Sequence, residues 1–252
     1  MSERLVELTD ITTGYDGVAA IEHVNLTINE RDYIGIIGPN GGGKTTLLKV
    51  ILGILPPFSG KVKLHGSTDG KRDFIGYLPQ VNNIDKKFPI TVQEVVLSGI
   101  MSRKGIFTRY SKQDKALARE LMERTGIEHL RKKVIGELSG GQMQRAFLSR
   151  ALISKPKLLI LDEPNTYVDN KFEGELYELL TKLNEQMAIV IVTHDLGTVS
   201  QYVKSIACVN RGLHLHPSNI ISQEQLDNYN CPIQLITHGH IPHTVLENHN
   251  KK

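Results

Sequence analysis

Gly38-Pro39-Asn40-Gly41-Gly42-Gly43-Lys44-Thr45 stands in the order G-x-x-x-x-G-K-[ST], after the apolar run Tyr33–Ile37 and before a helical pattern. Those residue types at that spacing make a phosphate cradle. Glycines let backbone N–H groups curl around phosphate oxygens, and the start of a helix adds its positive end. In such a loop Lys44 reaches the β- and γ-phosphates of a nucleotide, and the Thr45 hydroxyl is placed to ligate Mg²⁺. The alternative, a glycine-rich turn with no ligand, explains neither the lysine nor the hydroxyl at its end.

Two carboxylates, Asp162 and Glu163, close the apolar run Leu158–Leu161. A carboxylate at the tip of a central strand can hold the Mg²⁺ of a nucleotide in the neighbouring loop, which suits Asp162. Strand alternation aims Glu163 elsewhere, free to orient or deprotonate an attacking water. A third feature, Leu138-Ser139-Gly140-Gly141-Gln142, precedes the helical stretch MQRAFLSRALI. It offers a second bare backbone and helix start to an anion, with Ser139 supplying a hydroxyl. One nucleotide needs one phosphate loop, so the second calls for an explanation.

The elements that position these residues read as an α/β chain. Strands are expected at Leu5–Thr12, Val24–Ile28, Tyr33–Ile37, Lys61–Leu64, Ile75–Leu78, Leu158–Leu161 and Ala188–Val192. Helices are expected from Thr45 to a stop at Gly53, and over Val92–Leu97, Lys112–Thr125, Gly141–Ile153 and Asn170–Asn184. A polar loop, SRKGIFTRY, separates the second and third of these helices. Strand–helix alternation broken by a helical stretch over about 91–153 predicts an α/β core carrying an insertion.

Bulk composition narrows the class. The 252 residues are 40% apolar and 23% charged, as in ordinary globular proteins, and no apolar run approaches the roughly 18 residues that span a bilayer. MSERLVELTD is not a basic-then-apolar leader, and Cys208 and Cys231 are too few for a disulfide scaffold. A reduced, cytoplasmic protein is expected. The net charge of +3 is a slight lean toward anionic partners and no signature of nucleic-acid binding, so no nucleic-acid partner is expected.

In order and spacing, GPNGGGKTT, YLPQ ending in Gln80, LSGGQ, LLILDEP and VTHD with His194 resemble the ATP-binding subunits of ABC transporters, from about residue 4 to at least 245. The resemblance implies a P-loop NTPase (RecA-like) core sheet, an N-terminal antiparallel β subdomain and an inserted α-helical subdomain. It also implies ATP and Mg²⁺ as cofactors, and an ATP-dependent head-to-tail homodimer. Each ATP would lie between the phosphate loop of one copy, Gly38–Thr46, and Ser139, Gly140, Gly141 and Gln142 of the other, which accounts for the second phosphate device. By the same resemblance Tyr15 stacks on adenine, although TGYDG also reads as a strand-end turn. Gln80 touches Mg²⁺ or water, His194 contacts the γ-phosphate, and Asp169 crosses to the partner. Tyr167 departs from the family, which usually has a small residue there.

The segment Lys87–Gly99 and the tail, Cys208–His216 and Cys231–His243, resemble members that import zinc or manganese. That implies a separate transmembrane permease subunit, an extracytoplasmic metal-binding protein acting indirectly, and a peripheral place on the inner face of the membrane. A cofactor-assembly ATPase, an importer of another cargo such as an iron chelate, and a regulatory subunit without activity are the alternatives; Glu163 and His194 argue against the last. Over about 205–252 the tail is histidine-rich. His214, His216, His238, His240 and His243 with the two cysteines are ligand types that suit regulatory zinc, but no tight ligand spacing appears.

Overall fold

Tyr33–Ile37, Leu158–Asp162 and Ala188–Val192 are buried at every position. Interior strands of a parallel sheet are covered on both faces, so their sequences do not alternate. In the computed structural model these are β3, β6 and β7 of a sheet ordered β5-β6-β7-β3-β8-β9, with β5 at Ile75–Leu78, β8 at Ser205–Asn210 and β9 at Gly212–His216. Neighbouring strands are parallel except β9, which runs antiparallel to β8. The structure describes residues 3–67, 72–80, 88–101, 109–164, 170–220, 233–237 and 242–246.

The sheet divides two cores. Tyr33, Ile37, Leu159, Leu161, Ile189 and Ile191 face one, and Ile34, Ile36, Leu158, Ile160, Val190 and Val192 face the other, as alternation along a strand requires. The second core also takes in helix α1 (Lys44–Ile51) and an antiparallel sheet ordered β2-β1-β4, formed by β1 (Arg4–Tyr15), β2 (Val18–Asn29) and β4 (Ser59–Leu64). β1 and β2 run well past the expected Thr12 and Val24. Register shifts at Ile11, Thr13 and Gly14 break the alternation that sequence reading depends on. The strands meet at Asp16-Gly17, both at positive φ, a two-residue hairpin turn of the primed kind.

On the first core's side lie α2 (Val92–Ser98), α3 (Lys112–Arg124) and α4 (Gly140–Leu152). Each starts with a reciprocal capping box, Thr91 with Glu94, Ser111 with Asp114, and Ser139 with Gln142. Most of the expected loop SRKGIFTRY lies outside the described residues. Arg145 on α4 donates to the Thr125 carbonyl at 2.8 Å and pairs with Glu175 at 2.6 Å, on α5 (Asn170–Asn184), tying the helical stretch to the sheet's own helices. A short α6 (Leu196–Val199) follows β7, and an antiparallel hairpin, β10 (Ile233–Thr237) with β11 (Pro242–Leu246), packs against it through β11.

Cys231, His238, His240 and His249 lie outside the described residues. His214 is exposed and His216 buried on β9. Among the described residues no cluster of His, Cys, Asp or Glu could hold a metal ion, and no helix is long and apolar enough to cross a membrane.

Candidate active site

Because β3, β5, β6 and β7 run parallel, the loops leaving their carboxyl ends emerge at one edge of the sheet. Those loops carry the phosphate-loop residues, Gln80, the Asp162–Glu163 pair and His194. Within the phosphate loop Gly38, Gly41 and Gly43 have φ of 152°, 78° and 104°. A Cβ on Gly38 would lie 2.0 Å from the Val209 carbonyl oxygen, and one on Gly43 would lie 2.3 Å from the Ile21 side chain. Only glycine fits both places. Gly43 caps α1 with no side-chain acceptor, and the positive end of the helix suits an anion.

The loop is braced from behind. The N–H of Arg211, in the β8–β9 turn, donates to the Gly42 carbonyl at 3.0 Å. Lys44 is buried, and its ammonium folds back to donate to the carbonyls of Gly38 at 2.8 Å and Pro39 at 3.0 Å. Thr45 is exposed on the cleft side.

Asp162 ends β6 and is 7% exposed. Burial raises its pKa and the charge of Glu163 raises it further, while Tyr77 and Lys44 oppose both. The Tyr77 hydroxyl donates to Asp162 Oδ2 at 3.4 Å, and burial followed by the Asp162 charge pushes the phenol's own pKa up to about 12. Glu163 corrects the expectation from alternation. The strand ends at Asp162 and Glu163 takes a left-handed φ of 49°, so both carboxylates line the same cleft. Such a backbone is costly for a non-glycine residue and is held here by the Glu163 N–H bonded to the Val192 carbonyl at 2.9 Å. Glu163 Oε2 lies 2.7 Å from Nδ1 of His194, whose ring is exposed.

The cleft has a volume of about 380 Å³. Tyr15, Ala20, Pro39, Asn40, Gly41, Gly43, Lys44–Thr46, Gln80, Asp162, Glu163 and Val192 line it. Gly38 and Gly42 shape the loop from behind, and His194 joins through Glu163. Ser139, Gly140, Gly141 and Gln142 are not part of this lining. They open α4, where Ser139 Oγ accepts from the Gln142 N–H at 3.3 Å and Gln142 Oε1 accepts from the Ser139 N–H at 3.1 Å. Asp169 and Tyr167 lie outside the described residues. Sequence reading gave no role to Tyr77, Lys49 or Arg211. Tyr77 lay inside the quoted YLPQ, but nothing there indicates that it reaches the next strand.

The ABC transporter family model matches residues 21–166. The chain belongs to that family. As an ABC protein it is 40% identical to the zinc uptake system ATP-binding protein ZurA of Listeria innocua, over 82% of this chain and 83% of that one. It is 39% identical to the high-affinity zinc uptake system ATP-binding protein ZnuC of Bacillus subtilis, over 82% and 92%. A solved metal-chelate type ABC transporter, in an inward-facing conformation, superposes with a TM-score of 0.82 at 26% identity, covering 96% of this chain and 97% of that one. A dimeric ATP-binding cassette holding ADP and Pi after hydrolysis superposes with a TM-score of 0.71 at 27% identity, covering 84% and 98%. This ABC protein is an ATP-binding subunit with an α/β P-loop fold.

Proposed function

We propose that this chain is the ATP-hydrolysing subunit of an importer that moves a divalent metal ion, zinc, through separate membrane permease subunits. The observation that carries the hydrolytic part is the Glu163–His194 pair at 2.7 Å, whose Glu163 lines the cleft with Lys44 and Thr45. The names of the zinc-uptake relatives support the cargo, with manganese and an iron chelate as competing cargoes.

The residues fit Mg²⁺. Thr45, Gln80 and Asp162 offer hydroxyl, carboxamide and carboxylate oxygens on one cleft, the hard donors this ion prefers. Asp162, a buried carboxylate beside a second carboxylate, is a group a divalent cation would relieve. When bound with ATP, the ion would supply charge neutralisation at the phosphates. Lys44 leaves its two carbonyl partners to pair with phosphate oxygens, and the N–H groups at the start of α1 bind the same anion. Glu163 orients the attacking water and accepts its proton, and His194 holds the Glu163 carboxylate and contacts the γ-phosphate. Tyr15, which lines the same cleft, stacks on adenine.

Ser139, Gly140, Gly141 and Gln142 serve the site of a second copy in a head-to-tail dimer, with Asp169 crossing between copies. The helices within about 91–153 then meet the permease at the inner face of the membrane, and an extracytoplasmic metal-binding protein delivers the cargo on the far side.

Whole-cell zinc, manganese and iron, compared under metal limitation between cells with unaltered and Glu163→Gln protein, test this. A selective fall in zinc is expected. A fall in manganese or iron alone would reassign the cargo, and unchanged metals with hydrolysis abolished would overturn metal import.

A further inference from the structure

Tyr15 sits at the tip of the β1–β2 hairpin, is 45% exposed, and lines the cleft. A ring in that place would swing freely unless something held it. The Lys49 ammonium donates to its phenol oxygen at 2.9 Å and stands 5.0 Å from the ring centroid. Lys49 lies on α1, on the same helix face as Thr46, whose hydroxyl also interacts with the phenol. α1 is the helix whose first turn carries Lys44 and Thr45. One rigid element therefore bears both the phosphate cradle and the support of the aromatic ring.

We propose that Lys49 is a positioning residue for the nucleotide base: it holds the Tyr15 ring at a set distance from the phosphate loop before ligand arrives. The proposal rests on reading the cleft as an ATP site, and deepens it. Lys49 does not itself line the cleft; it acts through Tyr15. Fixing an aromatic side chain in advance removes the cost of ordering it on binding, which is worth about 3- to 10-fold in affinity for one side chain. The benefit applies to the base alone, because the phosphate groups are held by other residues.

Titration of the purified full chain with a fluorescent ATP analogue, with inorganic triphosphate as a competitor that has no base, tests the proposal. Lys49→Met is expected to weaken the analogue about 3- to 10-fold while triphosphate competes as before. Tyr15→Phe keeps the ring but removes the oxygen, so it should reproduce the loss, and the double variant should lose no more than either single one. Lys49→Arg should restore most of the affinity. In steady state Lys49→Met should raise KM with kcat held. Unchanged analogue binding by Lys49→Met, an equal loss of triphosphate binding, or losses that multiply in the double variant would each overturn the proposal. No nucleotide binding by the unaltered protein would overturn the site reading itself, and the proposal with it.

Discussion

Nδ1 of His194 lies 2.7 Å from Oε2 of Glu163, joining the residues that follow two adjacent parallel strands, β6 and β7. The two side chains act as a unit, so removing either should leave the other poorly placed. Glu163→Gln is expected to keep ATP binding and lose about 10²- to 10⁴-fold in turnover. His194→Ala should lose a comparable amount, and the double variant little more than the worse single one. Phosphate-release rates at saturating ATP decide this. Full additivity would mean that the 2.7 Å contact has no catalytic consequence.

Asp162 concerns stability as well as chemistry. Burial and the neighbouring Glu163 raise its pKa, so its charged form is disfavoured in the nucleotide-free fold. A raised carboxylate contributes stability at acid pH that is lost as pH rises through the folded value. Asp162→Asn should therefore melt higher than the unaltered protein at neutral pH without ligand, by roughly 2–4 °C for each kcal/mol recovered. The gap should close as pH falls toward the ordinary carboxylate range. The same variant should lose the extra stabilisation that Mg²⁺ adds to ATP. Thermal melts across pH, with and without Mg²⁺ and ATP, measure both, and a lower melting point at neutral pH would contradict the burial argument.

Gly43 combines a φ of 104° with a Cβ position 2.3 Å from the Ile21 side chain and 3.1 Å from the Ala20 carbonyl. Gly43→Ala must shift either the loop or the β2 strand beneath it. Nucleotide binding is expected to fall at least about tenfold, because the first turn of α1 loses its alignment with the cradle. Equilibrium binding of ATP by the purified variant settles the matter, and near-normal affinity would show that the loop has slack.

Ser139 opens α4 with a reciprocal cap. Ser139→Ala should cost about 1 kcal/mol through the lost cap. If the same hydroxyl serves a second copy, the variant should also weaken ATP-driven pairing in a Glu163→Gln background beyond what the fall in stability explains. Light scattering with ATP at a fixed protein concentration reads this. Pairing that is unchanged after correcting for stability would confine Ser139 to its cap.

Much of this protein is legible from local pattern. Tyr33–Ile37, Ile75–Leu78, Ala188–Val192 and Asn170–Asn184 appear with the bounds their periodicity implies. In each, residue type and period act over a few neighbours. Pattern reading failed where one chain segment answers another. The β1–β2 hairpin outran its expected ends because bulges interrupt the period of two. Glu163 left the strand's alternation because its backbone turns left-handed against Val192.

The types and order of the phosphate-loop glycines, Lys44, Thr45, Asp162 and Glu163 were determined by the sequence alone, since each is a chemical requirement readable at one position. Which of them meet was decided by the tertiary structure. Parallel strands bring Gln80, Asp162 and His194 to one edge, α1 carries Lys49 back to Tyr15, and β5 lays the Tyr77 hydroxyl beside Asp162. Those pairings span 31, 34 and 85 residues for His194–Glu163, Lys49–Tyr15 and Tyr77–Asp162. No local period extends that far, so only the packing of sheet and helix could place them.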